Sequence, residues 1–291
     1  MVLLVTIEKV IVVKFMILNV FYKQGGDIMD ARIIIVLVMN FIISLIGTLA
    51  YSVRLVGVRT GKIAISFALF NVLMLVSRLA VTIQNPILSK FVETGAENIN
   101  IVNSFNLIII ISGVASIVGA FLIPSFQRIL GKGVESFSEQ RSFQKLIMHS
   151  FSKSGIKYVK NSIAIPVKES ITSIDFRKFP KRIIVLNIII VAASTVGALA
   201  PIYAGSLQPD LGKTCMSLSA LINGVATILM TLVTDPQLSM MTDDVMEGKC
   251  TEEDFRTCVI GMVGSKAIGT FLALFLLIPA SYIIIFVAKI I

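Results

Sequence analysis

Six long apolar segments, separated by polar connections, dominate the hydrophobic pattern of the chain. They lie near residues 33–53, 62–84, 104–126, 182–204, 214–236 and 257–287. Each is close to or above the ~20 residues that an α-helix needs to cross about 30 Å of hydrocarbon. They lack the strict alternation of a membrane β-barrel. The pattern therefore predicts an all-α integral membrane protein, a polytopic bundle of six transmembrane helices.

The composition agrees with a membrane location. Of the 291 residues, 56% are hydrophobic and only 15% are charged, too few charges for the surface of a water-soluble domain of this length. The three cysteines have no metal-ligand spacing and His149 is the only histidine, so we expect no metal site and no cofactor. The short motifs of nucleotide-driven pumps and common hydrolases do not occur. The sequence therefore favours a protein that is not an enzyme.

Most of the net charge of +9 lies in the connection between the third and fourth segments, residues 127–181. This basic loop has eleven Lys and Arg residues against four acidic residues. The connections 54–62 and 237–256 carry three and two Lys or Arg residues, whereas 85–103 and 205–213 carry one lysine each. The positive-inside rule therefore predicts a cytoplasmic basic loop and both ends of the six-span form outside. The loop is suited to anionic membrane lipid, not nucleic acid. Its residues 135–151 have amphipathic helical spacing, which fits a helix on lipid or a solvated helix equally well.

The first 28 residues do not fit the rest of the pattern. Glu8, Lys9 and Lys14 interrupt their apolar run, and no signal-peptide cleavage site follows it. Gly25-Gly26-Asp27 can be encoded by a bacterial ribosome-binding sequence at a suitable distance before Met29. We therefore expect translation to start at Met29, with 29–291 as the six-helix domain. The alternative is that residues 1–28 form a seventh apolar segment or an interfacial helix.

Three of the segments carry polar side chains along one helical face. These stripes are Asn71, Arg78, Thr82 and Asn85 in the second segment, Asn187, Ser194 and Pro201 in the fourth, and Asn223, Thr227, Thr231 and Thr234 in the fifth. Since lipid cannot satisfy polar groups, the stripes face protein or water. They indicate either hydrogen bonds between helices or a hydrated cavity, and together with the intramembrane charges they favour the cavity.

Small residues recur at every fourth position in two segments. They are Ser112, Ser116 and Ala120 in the third and Gly261, Ser265, Gly269 and Ala273 in the sixth. Both patterns predict close helix packing, within one chain or between two. Pro201, near the outer end of the fourth segment, is expected to loosen its last turn.

Five cations lie within the apolar segments or at their ends. They are Arg54, Arg59 and Lys62 at the cytoplasmic face, Lys266 about 14 Å from the cytoplasmic end of the sixth segment and so near the middle of the bilayer, and Arg78 about 10 Å from the outer end of the second. Asp235, at the inner end of the fifth segment, is the candidate counter-ion of Lys266 or Arg59. A series of cations across the bilayer suits an anionic head group whose lipid tail stays in hydrocarbon, and equally a simple anion.

The segment LAYSVRLVGVRTGKIAISFALFNVLMLVSRLAVTIQNP, residues 49–86, resembles the Amj family of bacterial membrane proteins. Its most specific part comprises Tyr51, Ser52, Arg54, Gly57, Arg59 and Thr60, and the likeness extends over 31–290. Members of the family serve as alternate lipid II flippases in place of MurJ. The resemblance implies that the chain moves undecaprenyl-diphosphate-linked disaccharide–pentapeptide from the inner to the outer leaflet of the plasma membrane, for peptidoglycan synthesis.

For this cargo, the cations and polar stripes suggest a hypothetical path of the head group across the membrane. Arg54, Arg59 and Lys62 take up the diphosphate, Lys266 and Arg78 pass it on beside Asn71 and Asn223, and Asp235 acts as counter-ion or in coupling. A homodimer with the groove between chains is one arrangement. The alternative functions are an enzyme acting on polyprenyl phosphates, a non-catalytic scaffold of the cell-envelope machinery, and a small-anion transporter.

Overall fold

The computed structural model describes residues 31–94, 101–140, 152–164 and 181–291. Every regular element in these ranges is a helix, and six helical segments are long and apolar enough to cross a membrane. This confirms the predicted fold class. The doubtful segment 1–28 lies outside the described residues, as do 141–151 and 165–180 of the basic loop.

In the described ranges, nine α-helices form the six spans and a short part of the basic loop. The first span comprises α1 (Ala31–Leu49), a 3-10 turn (Ala50–Ser52) and α2 (Val53–Thr60). The second is α3 (Ile63–Glu93) and the third α4 (Ile101–Gln140), while α5 (Lys153–Asn161) belongs to the loop. The fourth is α6 (Lys181–Leu207). The fifth comprises α7 (Gly212–Leu229), a π-helical segment (Met230–Thr234) and α8 (Asp235–Met246), and the sixth is α9 (Glu252–Ile290).

The basic stretch after the first apolar segment is helical, not a turn. Arg54 and Arg59 lie on α2, which ends at Gly61 in a left-handed conformation with φ of 65°. The amides of Gly61 and Lys62 donate to carbonyls of the last helical turn, Val58 and Gly57. The chain reverses within these two residues, so Lys62 directly precedes the second span.

The second span is longer than its apolar pattern predicts. Helix α3 continues through Pro86 to Glu93 because Leu88 and Phe91 pack in the core with 0% and 1% exposure. Its last third is amphipathic and therefore has a weaker hydropathy signal. Arg78 consequently lies halfway along the helix and not near its outer end.

The core lies between the first, third, fourth and sixth spans. The first span packs on the second and third, the fourth on the fifth and sixth, and the third on the sixth. The predicted small-residue faces are buried within the chain: Ser116 is 0% and Ser265 1% exposed. A Cβ at Gly269 would lie 2.6 Å from the Ile188 carbonyl oxygen, so this glycine allows the fourth and sixth spans to touch. The second and fifth spans are the least buried of the six.

Candidate functional site

Arg54 is the centre of a polar cluster at the end of the first span, which we call the Arg54 end of the molecule. Its Nη1 donates to Ser239 Oγ at 2.6 Å, and its Nη2 lies 3.5 Å from Asp235 Oδ1. Its Cζ lies 4.9 Å from the ring centre of Phe67. Helix α2 thus presents a guanidinium, only 13% exposed, to the second and fifth spans. A stacked, forked cation of this kind is well suited to bind phosphate oxygens.

Arg59 lies one helical turn further along α2 and is more exposed. Its Nε donates to Glu252 Oε1 at 2.6 Å, at the start of the sixth span, and its Nη1 donates to Gln127 Oε1 at 2.9 Å. The side chains of this ion pair are 41% and 46% exposed. Exposed ion pairs contribute at most about 1 kcal/mol, so a multiply charged ligand competes easily for the guanidinium.

The prediction that Asp235 pairs with Lys266 or Arg59 was wrong. The structure pairs Asp235 with Arg54, whereas Arg59 binds Glu252. The ammonium of Lys266 donates to the Ser44 carbonyl oxygen at 2.9 Å, and among the described residues it has no salt bridge. The physical reason is the fold: Asp235 lies where α8 passes α2, while Lys266 lies deeper and points into the first span.

Two buried polar atoms flank Asp235. Thr234 Oγ1 and Gln237 Oε1 have no hydrogen-bond partner among the described residues. Thr234 is the last residue of the π-helical segment of the fifth span and Gln237 lies just after it, and π-helical turns inside α-helices are frequent at functional sites. The polar stripe of the fifth segment includes Thr234, but no sequence pattern singles out Gln237. Unsatisfied polar groups beside a cation are suited to a polar ligand.

The polar stripe of the second span faces outward. Asn71, Arg78, Thr82 and Asn85 are all exposed, next to exposed apolar side chains such as Leu79, which is 64% exposed. The stripe therefore does not line an enclosed cavity within one chain. It is an open polar face on the side of the bundle.

One residue of the fifth-span stripe, Asn223, packs against the fourth span, whereas another, Thr227, is exposed. Pro201 has no N–H to donate to the Gly197 carbonyl, one turn earlier in the fourth span. That carbonyl accepts from Ser219 Oγ at 3.0 Å and from Asn223 Nδ2 at 3.5 Å, so Asn223 joins the two spans. Helix α6 accordingly continues past Pro201 to Leu207 without the predicted loosening. Thr227 is exposed.

Two asparagines connect spans of the bundle: Asn187 is buried in the fourth span, and Asn40 is half-buried in the first. Asn187, from the fourth-span stripe, donates to Ser265 Oγ at 2.7 Å and to the Met262 carbonyl oxygen at 3.3 Å. Asn40 makes the same kinds of contact with Ser112 and with the Ile108 carbonyl. Sequence analysis did not select Asn40, although an amide inside an apolar run is a signal that could have found it.

These features define a polytopic helical membrane protein with arginines held by carboxylates at one end of the bundle. Among the residues described, no three His, Cys, Asp or Glu side chains form a group that could hold a metal ion.

The model of the family described as Amj, alternate to MurJ, matches residues 39–288. The chain is 32% identical over 265 residues to the lipid II flippase Amj of Bacillus subtilis (strain 168), covering 90% of this chain and 98% of that protein. The chain therefore belongs to the Amj family. No solved structure matches it.

Proposed function

We propose that the protein is a lipid II flippase that moves the undecaprenyl-diphosphate-linked precursor from the inner to the outer leaflet of the bacterial plasma membrane. The observation that carries the proposal is the 32% identity over nearly the whole length of a protein named for this activity. The Arg54 end is the cytoplasmic end in this proposal, because the basic connections lie on that side.

Arg54 and Arg59 take up the diphosphate. Both are held by carboxylates in the structure, and a diphosphate offers more oxygens and more negative charge than either carboxylate alone. Uptake is therefore an exchange of partners, which avoids leaving a cation unpaired. Lys62, half-buried at the start of the second span, adds a third positive charge.

The head group then follows the open face of the second span while the polyprenyl tail remains in lipid. Asn71 and Arg78 are exposed on this face and offer an amide and a guanidinium to the sugar–peptide and the diphosphate. Lys266 and Asn223 complete the path if they release the carbonyls they now bind. A second copy of the chain would enclose this face, and the basic loop would lie on anionic lipid.

Transbilayer movement of labelled lipid II in proteoliposomes tests this function. We expect Arg54→Ala, Arg59→Ala and Arg78→Ala to reduce the rate at least tenfold. The matched control is Lys132→Ala, a surface cation at the same end that pairs with Glu135 at 3.3 Å. It should retain the wild-type rate.

Each outcome separates the alternatives. Movement that is unchanged in all three arginine variants would remove the residue assignments. Phosphate release without movement would favour an enzyme of polyprenyl phosphates. Absence of both in folded protein would favour the scaffold, and movement of small anions alone would favour an anion transporter.

A further inference from the structure

The two halves of the bundle share one packing plan. In residues 31–140, called the N half, the first span packs on the other two and the second span is peripheral. In residues 181–290, called the C half, the fourth span packs on the other two and the fifth is peripheral. Each half has three spans, so successive halves cross the membrane in opposite directions. This is the topology of an inverted repeat.

An amide–hydroxyl contact between the first and third helices occurs in both halves, half-buried in the N half and buried in the C half. In each half, an asparagine in the first half of the first span donates to a serine hydroxyl and to a carbonyl of the third span. The pairs are Asn40 with Ser112 and Asn187 with Ser265. In each case the serine also donates to the same carbonyl that the asparagine binds. Two long-range contacts of identical chemistry in equivalent helices favour a repeated unit over chance.

The sequence around the two asparagines is also repeated. Residues 38–43 read VMNFII and residues 185–190 read VLNIII. At the same spacing beyond each asparagine lies a threonine, Thr48 or Thr195. Each threonine donates to the carbonyl four residues before it, at 2.9 Å and 2.8 Å respectively.

The other two pairs of spans carry matching features. The second span has Asn85-Pro86 and the fifth has Asp235-Pro236. Counted from the first residues of α3 and α7, the proline of the fifth span lies one residue further along. The π-helical segment just before Asp235 supplies the one additional residue, since a π-helical turn is one residue longer than an α-helical turn. When the sequences of the third and sixth spans are aligned with Ser112 on Ser265, their small-residue positions coincide and Ala120 falls on Ala273.

The cations do not repeat. When Asn40 is matched with Asn187, Arg54 falls on Pro201 and Arg59 on Ser206. The two halves are consequently joined differently at the two ends. At the Arg54 end, Arg54 and Arg59 of the N half pair with Asp235 and Glu252 of the C half.

At the opposite end the halves meet through aromatic rings. Phe105 lies early in the third span and Tyr203 late in the fourth, with ring centres 5.6 Å apart. Contacts of this kind slide without breaking an ion pair. The Arg54 end is therefore the end where charge controls the separation of the halves.

We propose that the N and C halves are inverted repeats that move against each other as units, and that the ion pairs Arg54–Asp235 and Arg59–Glu252 hold the Arg54 end of their interface closed. The event that opens this end rests on the proposed function: a lipid-linked diphosphate binds both guanidinium groups and displaces the carboxylates. Opening at this end is accompanied by closure at the other, because the inverted arrangement alternates access between the two sides.

Distances between spin labels in proteoliposomes test the movement. The chain is labelled at introduced cysteines, with Cys215, Cys250 and Cys258 replaced by alanine. One label pair spans the halves at the Arg54 end (Lys132 and Lys249), and one spans them at the other end (Lys90 and Lys213). A third pair (Arg182 and Lys249) lies within the C half. All five labelled side chains are exposed.

Loss of the ion pairs should change the distances between the halves only. In the Asp235→Asn, Glu252→Gln variant, we expect a longer distance at the Arg54 end, a shorter one at the other end, and no change within the C half. Glu253→Gln, the exposed neighbour of Glu252, is the matched control and should leave all three distances unchanged. Exchanging the charges with Arg59→Glu and Glu252→Arg should return the distances toward wild type, which separates ion pairing from misfolding. Unchanged distances in the first variant, or a change within the C half as well, would overturn the inference.

Lipid II added to the wild-type chain should produce the same shift in the distances as loss of the ion pairs, whereas a lipid with a single phosphate group should not. If lipid II is moved while the distances stay fixed, the inference fails and the proposed function stands. If the variants shift the distances but lipid II is not moved, the proposed function fails and the closing role of the ion pairs stands.

Discussion

Replacing Asn187 by alanine should destabilise the bundle more than any exposed polar substitution. Asn187 is 0% exposed and joins three spans: it donates to Ser265 Oγ at 2.7 Å and accepts from Tyr51 Oη at 3.1 Å. Hydrogen bonds between membrane helices contribute about 0.6 kcal/mol on average and at most about 1.7 kcal/mol. Ser265 retains its bond to the Met262 carbonyl, but the Tyr51 hydroxyl loses its partner at a cost of about 1–3 kcal/mol.

We therefore expect Asn187→Ala to lower the free energy of unfolding by about 2–3 kcal/mol. Tyr51→Phe, which removes one bond, should cost about 1 kcal/mol. The measurement is reversible unfolding in bicelles, with a double-mutant cycle that gives a coupling of about 0.6–1.7 kcal/mol. Ser217→Ala is the control, because this exposed hydroxyl donates only to its own helix at Lys213. A loss below about 0.5 kcal/mol for Asn187→Ala would refute the reasoning, since that is the range of ordinary surface substitutions.

Three glycines of the spans give graded predictions for the same unfolding measurement. Gly269→Ala places a Cβ 2.6 Å from the Ile188 carbonyl oxygen, and we expect a loss of about 1–3 kcal/mol because backbone must move. Gly47→Ala places a Cβ 2.6 Å from Lys266 Nζ, the end of a flexible side chain, so the loss should be about 1 kcal/mol, the value of its one hydrogen bond. Gly264→Ala meets nothing within 4 Å and should be neutral or stabilising by up to about 1 kcal/mol through helix propensity. A different order among the three would contradict the packing described for these spans.

The spans could be predicted because hydrocarbon leaves the backbone few choices. An apolar run of sufficient length must satisfy its own amides, so it forms a helix whatever its neighbours are. Helix ends are less constrained. The second span continues past Pro86 because Leu88 and Phe91 are buried by other spans, a tertiary effect that hydropathy does not contain.

The partners of the charged groups could not be predicted for a related reason. Arg59 and Glu252 are separated by 193 residues, and Arg54 and Ser239 by 185. Their contacts depend on how the spans are arranged, and a single sequence specifies helical faces but not which faces meet. Asp235 was recognised as a counter-ion because an intramembrane carboxylate needs a cation. The identity of that cation, Arg54, came only from the fold.

Pro201 shows how a sequence pattern and the contacts between spans have to be interpreted together. Sequence analysis treated Pro201 and the Asn223 stripe as separate features, one loosening a helix and the other lining a cavity. The structure joins them, because the carbonyl that Pro201 leaves free is bound by Ser219 and Asn223 of the next span. A polar stripe inside a membrane thus needs to be compared with the prolines of neighbouring helices before it is assigned to a cargo.

The unequal distribution of cations between the two halves affects the rate of transport but not the equilibrium distribution of cargo between the two leaflets. In an inverted repeat of identical halves, the two ends would bind an anionic head group equally well. In the proposed repeat, Pro201 and Ser206 stand at the positions equivalent to Arg54 and Arg59, so the proposed diphosphate site exists at one end only. A binding site at one end raises occupancy there without changing the equilibrium between the leaflets, because any path that a protein catalyses it also catalyses in reverse. Accumulation of cargo in one leaflet therefore requires a source of free energy outside these residues, such as an ion gradient or consumption of the cargo where it is released.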